Sequence, residues 1–285
     1  MRIVSLLPGA TEILLALGME DELVGVTHRC DVPAVADEPR VLTRPGSGGG
    51  DALDAVALAE TDPDLVIVGD GEQGDIGSRL VEAAFADRAT RPSVLTLAPT
   101  TVEGVLNAIV AVGAMTEAED EALELVEELR ERLRGSEAIV LGRRDHGFEP
   151  PRVVLLTAVD PPWTVGRWIP DQVRLAGAWE LLGQPGGAPA ATTWDAVADV
   201  DPGVLVLLPD GLPLAEAVRA WAASPRPPGW DRLRAVRDGR VYVVDAAPFT
   251  VAGPRVIDGI EILAELIDPV AFDGMAPPGS WVAAV

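Results

Sequence analysis

Short apolar runs and helical patterns alternate along most of the chain. Residues 2–7 read as a buried strand, and residues 11–17 as a helix opened by the Pro8-Gly9 turn. The next runs predict strands at Leu23–Val26, Leu65–Val68 and 94–97, with helices at 53–60 and 78–86. The alternation restarts at residue 152, with strands at 152–156, 204–208 and Val241–Val244 and helices at 170–182, 214–222 and 255–267. Continuous apolar strands separated by helices predict an α/β architecture of parallel sheets covered on both faces. Residues 271–285, rich in Pro and Gly, read as a loosely packed tail.

The pattern changes over residues 116–134. Thr-Glu-Ala-Glu reads as a capping box, with Thr116 as N-cap and Glu119 at N3. Ala118, Ala122, Leu125, Val126, Leu129 and Leu133 then share one helical face. Arg130, Arg132 and Arg134 crowd the end of that run, where the helix dipole favours cations. The spacing predicts a helix of about 20 residues, roughly 30 Å long, ended by the polar stretch 142–151.

Two Rossmann-like lobes with parallel sheets, joined by one long α-helix, follow from this reading. The expected divisions are an N-terminal lobe over 1–113, a linking helix and connector over 114–151, and a C-terminal lobe over 152–285. An internal echo supports the duplication. DAVALAETDPDLVIVGDG (54–71) and DAVADVDPGVLVLLPDG (195–211) each read as a helix, an Asp-Pro corner, a buried strand and an Asp-Gly turn. In such lobes the strand-end loops predict a ligand cleft.

Charge narrows the partners. Among 285 residues, 45 are acidic and 22 basic, for a net charge of −23, and every basic residue is arginine. Such a surface has no basic stripe for nucleic acid and is repelled by anionic headgroups. Cys30 is the single cysteine, so neither an intrachain disulfide nor a Cys-based zinc site can form. The opening run is broken by Pro8-Gly9 and Glu12, and no stretch of 18 apolar residues follows, so direct membrane insertion is not expected. The sequence as it stands predicts a cytoplasmic protein, or an extracytoplasmic one if its true start lies upstream.

Candidate chemistry concentrates in the loops. Gly46-Ser-Gly-Gly-Gly50 lacks the G-x-G-x-x-G spacing and the P-loop lysine, and reads as a flexible loop. His28, Cys30 and Asp31 are ligand types, but a free ion needs three or four convergent ligands and the other histidine is His146. They read as cleft-lining groups able to touch a chelated metal. No G-x-S-x-G is present. Trp163 and Trp168, in DPPWTVGRWIP, offer flat walls for a planar ligand, whereas Trp179, Trp194 and Trp221 fall on helical patterns and read as core.

SLLPGATE, VGVTHRCDVP, DPDLVIV, DPPWTVG, DQVRLAG and PFTVAGPRVID occur in that order over residues 2 to about 267. Together they resemble the helical-backbone substrate-binding proteins of ABC importers (class III), and most nearly the vitamin B12 (cobalamin)-binding members. Relatives in that group bind haem and iron-siderophores. The resemblance implies a ligand contacted by Pro8, Gly9, Ala10, Thr11, His28, Asp31, Trp163, Phe249 and Arg255, to which the reading of the loops adds Arg44 and Trp168. It also implies docking on an ABC permease through Glu72 or Asp75 in one lobe and Glu216 in the other. In a departure from the family pattern, THRCD places His28 and Cys30 where transport members need not have them, which makes either one a candidate axial contact to a chelated metal.

The sequence therefore predicts a monomeric, non-catalytic binding protein for a metal–tetrapyrrole, cobalamin first. Haem or a ferric chelate is the alternative ligand, although the loops carry only Arg44 and Arg167 to meet an anion. A nucleotide-sugar glycosyltransferase is the alternative from another class; it requires a glycine-rich phosphate turn where this chain has Leu-Leu-Pro-Gly. An adaptor that kept the fold without a ligand is a third.

Overall fold

The computed structural model describes residues 1–33, 38–47, 50–71, 75–209 and 212–284. The chain divides into two compact units. Unit 1 comprises Met1–Pro99, Gly104–Glu128 and Ala252–Pro254; unit 2 comprises Thr100–Glu103, Leu129–Val251 and Arg255–Val285.

Unit 1 begins with β1 (Ile3–Ser5), α1 (Pro8–Ala16), β2 (Leu23–Val26), β3 (Arg40–Val41), β4 (Thr43–Pro45) and β5 (Asp51–Leu53). It continues through α2 (Ala55–Glu60), β6 (Leu65–Val68), α3 (Ser78–Ala84) and β7 (Ser93–Thr96). Among the described residues the sheet has the order β3-β2-β1-β6-β7, with every pair parallel. The central β1 and β6 are buried along their whole length, as the uninterrupted apolar runs require. Val4, Val66 and Val68 pack with Leu42, Leu58, Ile76, Val81 and Phe85. Strand β4 turns back antiparallel on β5, placing Thr43 opposite Leu53 and Pro45 opposite Asp51.

Two helices depart from the expected pattern. α4 (Val102–Thr116) has no counterpart in the sequence reading, because its apolar residues surround it instead of forming a stripe. Val105, Leu106, Ile109 and Val112 are all fully buried. Thr116 belongs to this helix and is not an N-cap: its hydroxyl donates to the Val112 carbonyl at 2.8 Å, so it offers nothing to the next helix. Glu117 adopts a left-handed φ of 60°, and the Ala118 N–H returns to the Gly113 carbonyl at 3.0 Å, a Schellman-type stop. α5 (Glu119–Asp145) therefore starts three residues late, on three acidic residues, and runs for 27 residues, about 40 Å. Arg130, Arg132 and Arg134 lie mid-helix, and the cations of the last turn are Arg143 and Arg144.

Unit 2 contains β8 (Arg152–Val159), β9 (Pro162–Thr164), α6 (Ile169–Leu175), β10 (Trp179–Glu180), α7 (Trp194–Val200) and β11 (Val204–Leu207). Then come α8 (Leu214–Ala223), α9 (Arg234–Arg237), β12 (Val241–Val244), α10 (Ala247–Thr250), α11 (Val256–Ile267) and β13 (Trp281–Ala283). The sheet order is β10-β8-β11-β12-β13 among the described residues, with β9 beside β8. It is mixed, not wholly parallel, because β9 and β13 run antiparallel. The expected loose tail is thus corrected: Trp281 pairs with Val244, its ring meets Tyr242 edge-on at 5.5 Å, and Phe272 is buried.

The predicted helix over 170–182 stops early, at α6, since Gly177 takes a φ of 88° beside Val140. Trp179 consequently leaves the core for β10, where it is 58% exposed. Trp221 and Trp194 do pack inward, each against Trp230. Arg132 ties α5 to α11 through Asp258 at 2.6 Å and Glu261 at 2.5 Å.

The internal echo is visible in the backbone. Asp62 and Asp201, each followed by proline, both turn left-handed, with φ of 44° and 41°, immediately after α2 and α7. The caps differ: Asp54 accepts the Ala57 N–H at 2.9 Å, whereas in the second copy Thr193 accepts from Ala196 at 3.1 Å.

Candidate binding site

In unit 1 the chain order reverses between β1 and β6, the switch point at which parallel sheets place ligands. Pro8 opens α1 there, at a helix position that needs no N–H. Gly9 is dictated by crowding, since a Cβ would sit 2.4 Å from the Ala252 carbonyl oxygen. Gly9, Ala10 and Thr11 are buried, so of the four predicted residues only Pro8 keeps a partly open side chain.

Thr11 anchors the loop after β2. Its hydroxyl lies 2.8 Å from Ser5 Oγ and 3.0 Å from Cys30 Sγ, and Thr27 Oγ1 lies 3.1 Å from the same sulfur. The thiol of Cys30 is thus spoken for by two hydroxyls. The turn also presents His28, half-buried, and Asp31, exposed. Sequence reasoning overlooked what the β4–β5 hairpin does here. Thr43 Oγ1 accepts the His28 backbone N–H at 3.0 Å and lies 2.8 Å from ring Nδ1. Asp51 Oδ1 faces Nε2 at 4.0 Å, and Asp51 Oδ2 takes Arg29 Nε at 3.1 Å. Arg29 also reaches Asp75 at 3.4 Å. The signal for this device was present: two short β-type runs flanking a glycine-rich turn are a hairpin pattern.

The predicted residues of unit 2 separate into open and closed. Trp163, in β9, is 41% exposed. Trp168 is buried and spends its indole N–H on the Phe249 carbonyl at 2.8 Å, and Phe249 has no exposed surface at all. Both therefore act in packing. The loop before α6 is stitched to residues 184–190 by Arg167 N–H to Gly187 O at 2.6 Å and Gly186 N–H to Arg167 O at 2.9 Å. Arg255 stands at the start of α11 and Arg44 is exposed on β4. Glu216 is exposed in the first turn of α8, and Glu72 lies outside the described residues.

Glu180 carries a perturbed carboxyl. Burial pushes its pKa from 4.5 up to about 7, partly opposed by backbone N–H bonds from Gly183, Leu155 and Leu182. β10 is only two residues long, and this side chain continues its edge by accepting the next N–H of β8. Among the described residues no group of three or more His, Cys, Asp or Glu is arranged to hold a metal ion.

Residues 3–248 match the periplasmic binding protein family. The chain belongs to that family. Among its relatives is an uncharacterised ABC transporter substrate-binding lipoprotein of Bacillus subtilis (strain 168), YvrC, 29% identical over 277 residues, which span 95% of this chain and 81% of the relative. A periplasmic heme-binding protein from Pseudomonas aeruginosa shares the fold at TM-score 0.75 and 23% identity, over 94% of this chain and 93% of that one. BhuT, a periplasmic heme-binding protein in complex with two hemes, does so at 0.75 and 24%, over 96% and 99%. The vitamin B12 binding protein BtuF of Vibrio cholerae does so at 0.72 and 21%, over 95% and 98%.

Family membership corrects the expected cytoplasmic location. The family is periplasmic and the B. subtilis relative is a lipoprotein, so a periplasmic binding protein such as this one belongs outside the cytoplasm. Among the described residues no helix is long and apolar enough to cross a membrane.

Proposed function

We propose that this periplasmic binding protein carries a metal–tetrapyrrole to an ABC permease without chemical conversion, and that the tetrapyrrole is cobalamin. The candidate contacts of unit 1, taken by itself, are Pro8, His28, Asp31 and Arg44; those of unit 2, taken by itself, are Trp163 and Arg255. The observation that carries this reading is the state of the loop charges. Arg29 is neutralised by Asp51 and Asp75, and the loop offers polar groups without a basic cluster, which suits a large ligand with a neutral periphery. Relatives named for vitamin B12 and heme support a chelate as the cargo.

Haem is the second reading, favoured by the two heme-binding relatives. For permease docking, Glu216 is exposed and lies 3.9 Å from Arg219, whereas Asp75 is half-buried against Arg29. Glu216 is the stronger docking residue on that ground. Titration of the purified protein with cyanocobalamin, hydroxocobalamin and hemin, followed by calorimetry and visible absorbance, tests the assignment. One-to-one binding of the cobalamins is the expected result. Binding of hemin alone moves the protein to the second reading, and binding of none removes the tetrapyrrole.

A further inference from the structure

We infer that His28 serves the ligand as a hydrogen-bond donor through Nε2–H, aimed at a neutral amide carbonyl, and that Thr43 and Asp51 hold the ring in that tautomer. The inference rests on the binding reading above and specifies what one of its residues does. The Thr43 hydroxyl has a single proton to place. Thr43 Oγ1 accepts the His28 backbone N–H at 3.0 Å, which occupies a lone pair. Its own proton then needs an acceptor, because Thr43 is only 7% exposed. Nδ1, at 2.8 Å, is the acceptor within reach among the described residues. A ring nitrogen that accepts is unprotonated, so the proton of the neutral imidazole sits on Nε2.

Asp51 favours the same arrangement from the other side. Its Oδ1 lies 4.0 Å from Nε2, beyond a hydrogen bond but close enough to stabilise the positive end of an N–H dipole. Both groups come from one β4–β5 hairpin, which grips the two nitrogens of one ring. In this tautomer Nε2 has no lone pair for a metal. The axial role is therefore the wrong chemistry for His28 as it is held, and donation is the right one.

The charge around the ring selects the acceptor. Arg29 is one cation set between two carboxylates, Asp51 at 3.1 Å and Asp75 at 3.4 Å, leaving this group net negative. The chain as a whole carries −23. A ligand carboxylate brought to Nε2 meets repulsion from both aspartates, whereas an amide carbonyl offers an acceptor without charge. The side chain of His28 is 25% exposed, enough to present that N–H to a ligand.

The tautomer can be read without any ligand, by 15N NMR of the imidazole rings at pH about 8, above the ordinary histidine range. The chain has two histidines, and the second is an internal control. His146 Nδ1 lies 2.7 Å from the Gly142 carbonyl, which can only accept, so His146 carries its proton on Nδ1. Opposite ring patterns are expected, with His28 protonated at Nε2. The preference at His28 is expected to weaken in Thr43→Val and return in Thr43→Ser. Two identical patterns, or His28 protonated at Nδ1 in the wild type, overturn the inference.

Cyanocobalamin titration reads the donor role. A single neutral hydrogen bond predicts that His28→Ala binds about 3- to 10-fold more weakly, and that His28→Gln, which restores an N–H donor, recovers most of the loss. Bound hydroxocobalamin is expected to show the same visible spectrum in wild type and His28→Ala. A His28-dependent spectral shift restores the axial role and overturns donation. Unchanged affinity in His28→Ala overturns donation while leaving the binding reading intact. Wild-type protein that takes no cobalamin overturns the binding reading, and the carbonyl-donor role with it.

Discussion

Gln172 offers a direct test of how unit 2 is held together. It sits on α6 with no exposed surface, and its Nε2 donates to the carbonyls of Pro248, at 2.9 Å, and Val256, at 2.8 Å. One side chain thereby joins α6 to α10 and to the first turn of α11. Its Oε1 is buried without a partner among the described residues, a cost the two bonds must exceed. Gln172→Met keeps the length of the side chain and removes both donors and the orphaned oxygen. Losing two bonds costs about 2–3 kcal/mol, and relief of the oxygen returns about 1, for a net loss of about 1–2 kcal/mol. Gln172→Ala adds a cavity and reaches about 3–4 kcal/mol. Gln172→Glu turns an ionised oxygen toward two carbonyls at neutral pH, and regains a donor only when acidified.

The assay is urea unfolding followed by tryptophan fluorescence. All seven tryptophans lie between residues 163 and 281, inside unit 2, so the signal reports that unit alone. With an urea dependence of about 2 kcal/mol per molar, the methionine variant shifts the midpoint down by about 0.5–1 M. A midpoint equal to or above that of the wild type refutes the claim that these two bonds outweigh the orphaned oxygen.

Three further outcomes are expected. The folded-state pKa of Glu180 is raised to about 7 from 4.5, so its contribution to stability is fully present below about 4.5 and lost as pH rises through about 7. Over that window unit 2 loses at most about 3 kcal/mol on this account, and Glu180→Gln flattens the slope; an unaltered slope in melts from pH 4 to 8 sinks the assignment. A net charge of −23 places self-repulsion in the folded state, so the melting temperature rises with sodium chloride over the range where screening grows, and a flat salt series contradicts this. Gly9→Ala drives a Cβ to 2.4 Å from a backbone oxygen and costs more than about 2 kcal/mol, while Gly135→Ala, in open space on α5, stabilises by about 0.5–1 kcal/mol. Comparable melts for the two alanine variants contradict that contrast.

What the sequence revealed, and where it went silent, follows from the kind of signal each feature leaves. Buried central strands such as Leu65–Val68 and Val241–Val244 are read correctly to the residue, because both faces are covered and every position is apolar. α4 escaped because its apolar residues are not confined to the buried side, Met115 being exposed, so the sequence shows no clean stripe. Thr116 misled for a related reason: a threonine followed by Glu-Ala-Glu is a start signal in isolation, and only the left-handed Glu117 makes it a stop. Trp168 reads as a ligand wall from its loop and Phe249 as a ligand contact from the resemblance, yet the Trp168 indole N–H bonds the Phe249 carbonyl and both side chains are buried in packing. His28 was legible as a loop histidine, but its orientation depends on Thr43 and Asp51, which are 15 and 23 residues away along the chain. Linear reading sees residues and spacings, and the hairpin that joins these three exists only once the sheet has formed.

Ala252–Pro254, the three residues that unit 1 takes from late in the chain, set an order of assembly. Gly9 abuts the Ala252 carbonyl, and a Cβ on Gly253 would fall 2.7 Å from Glu12 Oε2, so the start of α1 lacks its neighbour until residue 254 has been made. A nascent chain carrying every strand of the first sheet is still missing a piece of its wall. Neither unit can be cut out as one continuous fragment, and a circularly permuted chain that brings these residues next to α1 would be the shortest route to an autonomous first unit.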